Sequence, residues 1–236
     1  MTLRDRLHAP DSYGLLLVLI LASIVGTAVF SGTQLGRIVT VVFLGGTLLF
    51  AMRTSRAGHR YRRMWSIAVP VMVLGATVSG ILSDADLSRS IVTGFSAVLV
   101  VATLTAILGR LATHTTISIQ TVLGALSMYL LLGLLFASVF AFLASASGDA
   151  FFAQGATAGS SVNYIYFSYV TIATVGYGDL SAAGNLGKML SASEALVGQL
   201  FLVTVVALLV TNLGKARQRG AREPEKDAGS GGPVAD

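Results

Sequence analysis

Thr171-Ile172-Ala173-Thr174-Val175-Gly176-Tyr177-Gly178-Asp179 is a short, polar, glycine-rich run in a chain that is otherwise mostly oily. Gly176 and Gly178 stand at alternate positions. Glycine has no Cβ and therefore reaches backbone angles that cost other residues energy. Glycine and aspartate also favour ordinary turns, and Gly-Tyr-Gly-Asp alone fits one. The length of the run and its place between two membrane-length segments set it apart.

The surrounding composition decides the fold class. Of 236 residues, 54% are hydrophobic and only 11% are charged, far from the balance of a soluble domain. The sequence reads as an all-α integral membrane protein. The net charge of +5 does not point to nucleic acid, because the basic residues fall in short runs beside apolar segments, where membrane topology accounts for them. Cysteine is absent, which removes disulfides and thiolate metal sites. His8, His59 and His114 lack a metal-ligand spacing. With no nucleophile and base constellation either, neither an enzyme nor a bound cofactor is expected.

Crossing the hydrocarbon core takes roughly 20 apolar residues, and six stretches are read as transmembrane helices: 13–30, 35–52, 64–82, 91–108, 117–146 and 189–213. Asp11 or Ser12 is placed to cap the first, which lacks the cleavage site of a secretory signal. Pro70 either kinks the third or sits in a tolerant early turn. The fifth exceeds what the bilayer needs, so it tilts or projects. Between the fifth and sixth, 162–173 is too short to cross. It reads as a re-entrant helix capped by Ser160 or Ser161, or else as an amphipathic surface helix. A loop following it at membrane depth must be screened from lipid.

Arg4 and Arg6, the cluster Arg53, Arg56, His59, Arg60, Arg62 and Arg63, Arg110, and Lys215, Arg217, Arg219 and Arg222 all fall on one side of this arrangement. Asp84, Asp86, the 148–161 loop and Asp179 fall on the other. Positive residues are retained in the cytoplasm, so a multi-pass protein of the cell membrane with both termini cytoplasmic is predicted. Residues 1–12 form its cytoplasmic N-terminus. Arg53, Arg56, Arg60, Arg62 and Arg63 also suit anionic lipid headgroups. The tail, 215–236, is charged and then Gly-, Ser- and Pro-rich, and is predicted to be disordered.

The pattern Thr-x-x-Thr-Val-Gly-Tyr-Gly-Asp over 171–179 resembles the selectivity-filter signature of the potassium channel family. Residues 117–214, read as outer helix, pore helix, filter and inner helix, resemble its pore domain. The resemblance implies passive, potassium-selective conduction, with K+ as the transported ion. One filter strand cannot surround an ion, so it also implies a four-fold symmetric homotetramer. Each copy contributes the Thr174, Val175, Gly176 and Tyr177 carbonyls, plus the Thr174 hydroxyl, to stacked K+ sites that replace the hydration shell. Gly178 continues the strand, Asp179 lies at the outer mouth, and the side chains of Val175 and Tyr177 face outward as braces. A weakly selective cation channel, or a non-conducting accessory or sensory protein, are the alternatives.

Four helices ahead of a pore domain, residues 13–110, resemble a voltage-sensor domain without its charges. Moving one elementary charge through 100 mV is worth about 2.3 kcal/mol, and no Lys or Arg lies between Arg89 and Arg110. A channel without intrinsic steep voltage sensitivity is expected. In the sixth segment, Glu194 is expected to hydrogen-bond behind the filter or to act in gating. Gly198 resembles the family's gating hinge, or serves close helix packing. Thr204 and Thr211 face a cavity or bond back to their own helix. Tyr164, Tyr166, Phe167 and Tyr169 are expected to pack the pore helix and cuff the filter, where voltage-gated relatives commonly carry tryptophan.

Overall fold

A computed structural model of the chain describes residues 13–30, 33–54, 59–82, 85–111, 119–147, 149–155 and 159–228. Arg4, Arg6, Asp11, Ser12, Arg56, Asp84 and the end of the tail, 229–236, lie outside the described residues. The helices are α1 (Tyr13–Val29), α2 (Gln34–Thr54), α3 (His59–Leu82), α4 (Ala85–Leu111), α5 (Ile119–Ser147), α6 (Ser161–Ile172) and α7 (Asn185–Ala228). Among the described residues the sole extended pairing is an isolated antiparallel bridge, Phe152 with Ala182.

Among the described residues, three stretches are long and apolar enough to cross a membrane: Ser90–Leu108, Thr121–Ser147 and Asn185–Val205. Tyr13–Val29, Ile38–Met52 and Arg63–Ser79 are shorter apolar helices. Pro70 lies within α3. Lipid offers no hydrogen bonds, so serines and threonines on these helices turn back on their own backbone. Thr27 Oγ1 donates to the Ser23 carbonyl at 2.8 Å and Thr103 Oγ1 to Leu99 at 2.7 Å. Across helices, the Thr27 and Thr40 hydroxyls meet at 3.0 Å.

One hydrophobic core runs through the bundle and into α5. Leu16 and Ile20 from α1, Leu44 and Leu48 from α2, Val69 from α3, Leu99 and Ile107 from α4 and Leu131 from α5 are buried in it. α1 and α4 both pack on α5 of the same chain, so the four-helix bundle sits beside its own α5. A second cluster is aromatic. Phe140 on α5, Phe151 and Phe152 in the connecting loop, and Tyr164 and Phe167 on α6 pack around Ala182. Ala153 N donates to Ser181 O at 2.8 Å and Ala183 N to Phe151 O at 2.9 Å, which ties the loop ahead of α6 to the chain that follows the glycine-rich run.

The last helix departs from expectation. α7 does not end near Leu213 but continues to Ala228, so the predicted disorder of 215–236 gives way to helix over its first part. Lys215, Ala216, Arg217, Gln218, Arg219, Ala221 and Arg222 are mostly good helix formers. Extending an existing helix requires no new nucleus.

A Cβ placed on Gly14 lies 3.7 Å from Leu123 Cδ1, which offers a test of the packing of α1 on its own α5. In this cysteine-free chain, oxidising a Gly14→Cys, Leu123→Cys double variant is expected to join the two thiols within one chain. The product then migrates as a monomer on denaturing gels. Covalent dimers instead would place the bundle on a neighbouring copy.

Candidate functional site

The α6 helix is set by its two ends. At the first, Ser160 is extended (φ −87°, ψ 154°) and its Oγ accepts from Asn163 N at 3.2 Å. This satisfies one of the free amides of the first turn, and Ser160 rather than Ser161 is the cap. At the other end the chain reverses directly into the glycine-rich run. Ala173 N donates to Tyr169 O at 3.2 Å, Thr174 N to Thr171 O at 2.9 Å, and Val175 N and Gly176 N to Val170 O at 2.9 and 3.3 Å. Tyr129 Oη, from α5, donates to Ile172 O at 3.1 Å. The carbonyls at this helix end are thus each engaged, while the helix dipole still directs its negative end there.

Beyond that turn, φ is positive at Thr174 (56°), Gly176 (57°) and Gly178 (82°) but not at the residues between them. Alternating handedness turns successive carbonyls toward one side of the strand, where a regular strand would alternate them. Among the described residues, none of the carbonyls from Thr174 to Gly178 accepts a hydrogen bond within the chain. All of 173–179 is exposed in a single chain. The two glycines match the sequence expectation. Thr174 does not, since a β-branched residue at positive φ is an outlier and pays for its place with strain.

The aromatic set expected to cuff this strand divides three ways. Tyr166 serves the strand: its ring stacks on Tyr177 with centroids 6.4 Å apart and planes 6° from parallel, and its hydroxyl donates to Asp179 Oδ2 at 2.8 Å. That hydrogen bond raises the Tyr166 hydroxyl above its ordinary pKa. Tyr164 and Phe167 join the outer aromatic cluster. Tyr169 points to α5, donating to Leu130 O at 2.8 Å, and its ring lies against Gly133, where an added Cβ would come within 2.5 Å of Cε1.

Behind the strand, α7 meets α6 through Glu194 and Gly198, four residues apart and so on one face. Glu194 is buried and hydrogen-bonded to Ser168 Oγ, which also lies 2.6 Å from Gly133 O. A Cβ on Gly198 would lie 2.4 Å from Ile172 O. The structure therefore supplies a contact for the close-packing reading of Gly198. Ser168, Tyr129 and Gly133 were missed in the sequence. Tyr129 and Gly133 share a face at the same four-residue spacing, but nothing local marks that face as the one meeting α6. Arg63 is exposed, and the side chains of Arg53, Arg56, Arg60 and Arg62 lie outside the described residues.

A family model described as an ion channel matches residues 124–215. The match takes in most of α5, all of α6, the glycine-rich strand and α7 as far as Lys215, and leaves the four-helix bundle outside. No curated protein and no solved structure matches the chain. The region is similar to ion channels, and with the apolar helices this supports a membrane protein that conducts ions passively.

Replacing Gly198 by Ala is expected to force α7 away from Ile172 at a cost of about 1–3 kcal/mol, read as a lower unfolding midpoint of the purified protein. Gly46→Ala, where an added Cβ meets nothing within 4 Å, is the matched control and should lower nothing.

Proposed function

We propose that the protein is a potassium-selective channel, with four copies arranged about an axis so that the strands from Thr174 to Gly178 line one pore. The observation that carries this reading is the alternation of positive φ at Thr174, Gly176 and Gly178, with the strand's first amides turned back onto α6 and its carbonyls unpartnered. Such carbonyls suit an ion that must leave its water behind. The Thr174, Val175, Gly176 and Tyr177 carbonyls and the Thr174 hydroxyl hold K+ in file, and Asp179 stands at the outer mouth.

A single chain leaves this region incomplete. Tyr177 is 71% exposed and Leu200 on α7 is 66% exposed, and only 11% of the window within Asn185–Val205 is buried by its own chain. Three further copies, together with lipid, cover these surfaces, and closed cyclic symmetry completes the ring of carbonyls. The six hydrophobic segments cross the cell membrane with both termini cytoplasmic. Anionic lipid headgroups meet Arg53, Arg56, Arg60, Arg62 and Arg63. No cofactor takes part, and K+ is cargo.

Flux from proteoliposomes with opposed potassium and sodium gradients tests the reading. Wild type is expected to reverse near the potassium potential and to be blocked by barium. Gly176→Ala puts an L-residue at φ +57°, at a cost of about 1–2 kcal/mol per subunit, and is expected to lose potassium selectivity; unchanged selective flux in that variant would sink the assignment.

The bundle is a support, not a voltage sensor. The segment from Ser90 to Leu108 carries no basic residue, so no charge crosses the field there. Voltage steps on the reconstituted protein are expected to give no gating current and only shallow rectification. Steep opening over a modest voltage range would overturn this.

A further inference from the structure

Glu194 is 0% exposed and sits within the apolar stretch Asn185–Val205 of α7. Its Oε1 pairs with Ser168 Oγ, and its Oε2 has no hydrogen-bond partner. Ser168 Oγ also lies 2.6 Å from the Gly133 carbonyl oxygen of α5. A hydroxyl carries one proton, and a carbonyl carries none. With the Ser168 proton directed to Gly133, the contact between Ser168 and Glu194 requires a second proton. Of these groups, only the carboxyl of Glu194 can hold it.

The surroundings agree with an uncharged acid. The titratable groups facing Glu194 are Tyr169 from α6 and Tyr129 from α5. Each spends its proton on a backbone carbonyl, Tyr169 on Leu130 at 2.8 Å and Tyr129 on Ile172 at 3.1 Å. Among the described residues no basic side chain bears on Glu194. A buried carboxylate with no counter-charge and one bare oxygen is costly, whereas a carboxylic acid donating to Ser168 leaves only a weak acceptor unmet.

The geometry points to Glu194 as a neutral carboxylic acid whose proton ties α7 to α6 and α5, a positioning residue that holds the filter in its conducting form only while that proton stays bound. For its effect on conduction the inference rests on the potassium-channel reading above. The relay runs from Glu194 to Ser168 to Gly133, one hydrogen bond from each donor, and so joins three helices. One turn beyond Ser168, Ile172 receives Tyr129 and backs onto Gly198, and Thr174 opens the strand. When the proton leaves, the carboxylate claims the Ser168 proton. Gly133 loses that contact, and α6 keeps two of its three hydrogen bonds with α5, those of Tyr129 and Tyr169. The sign follows: the clamp is intact on the acid side and is lost as pH rises, the neutral fraction falling about tenfold for each pH unit above the midpoint.

Potassium flux across a pH series in wild type, Glu194→Gln, Glu194→Asp and Ser168→Ala proteoliposomes tests this, alongside infrared spectra of the same preparations. Wild type is expected to show an un-ionised carboxylic-acid band at neutral pH that is missing in Glu194→Gln and shifted in Ser168→Ala. Its flux should decline on the alkaline side. Glu194→Gln, whose amide donates without titrating, should conduct selectively at neutral pH and lack that decline. A wild-type spectrum without the band, or a Glu194→Gln variant that is silent while Glu194→Asp conducts, would overturn the proposal. If wild type carries no potassium at any pH, the channel reading fails, and the infrared band still decides whether Glu194 holds its proton.

Discussion

A polypeptide that leaves helical geometry must find new partners for its amides, and the chain from Ala173 to Asp179 does so. Its first four amides fold back onto the carbonyls of Tyr169, Val170 and Thr171, so the end of α6 serves as the hydrogen-bonding partner of the strand. This single reversal satisfies the donors and leaves the acceptors of Thr174 to Gly178 on the opposite side. The strand is therefore only as well placed as the helix that supplies its partners. Most of the remaining contacts among α5, α6 and α7 bear on α6.

Three sets of contacts hold that helix. The outer aromatic cluster grips Tyr164 and Phe167, and the Phe152–Ala182 bridge closes the loop around it. On the α5 side, Tyr129, Tyr169 and Ser168 exchange hydrogen bonds between α5 and α6. On the α7 side, Glu194 and the bare backbone of Gly198 lie against Ser168 and Ile172. Small residues allow such backbone approach where no hydrophobic force drives helices together in lipid. Gly198 does this against the Ile172 carbonyl of α6, while Gly133 makes room for the ring of Tyr169.

The leading bundle contributes differently. Its core continues into α5 through Leu131 and Leu134, so the bundle backs that helix. Hydroxyls such as Thr27, Thr47 and Ser96 satisfy themselves on their own helices, which permits polar residues without ionic partners. Apolar packing and back-bonded hydroxyls thus hold the bundle together.

The run of residues from 171 to 179 was enough, with its neighbours, to mark the strand, the short helix before it and the apolar segments on either side. Hydropathy and glycine spacing are local properties, and local properties survive in a linear text. Glu194 and Gly198 also stood out, because a carboxylate or a glycine in an apolar helix is conspicuous alone. What they touch was not legible: Ser168 and Ile172 lie some 26 residues away in sequence from each, and pairing depends on which helix faces meet. The positive φ of Thr174 was hidden for a related reason, since its own preference opposes that angle and only the hydrogen bonds to α6 impose it. The extension of α7 to Ala228 went unread because a charged, glycine-bearing composition says nothing of the helix that precedes it. Residue chemistry decided by itself that there is a strand of carbonyls; tertiary packing decided what holds it, because hydrogen bonds and close contacts between distant helices exist only once those helices are side by side.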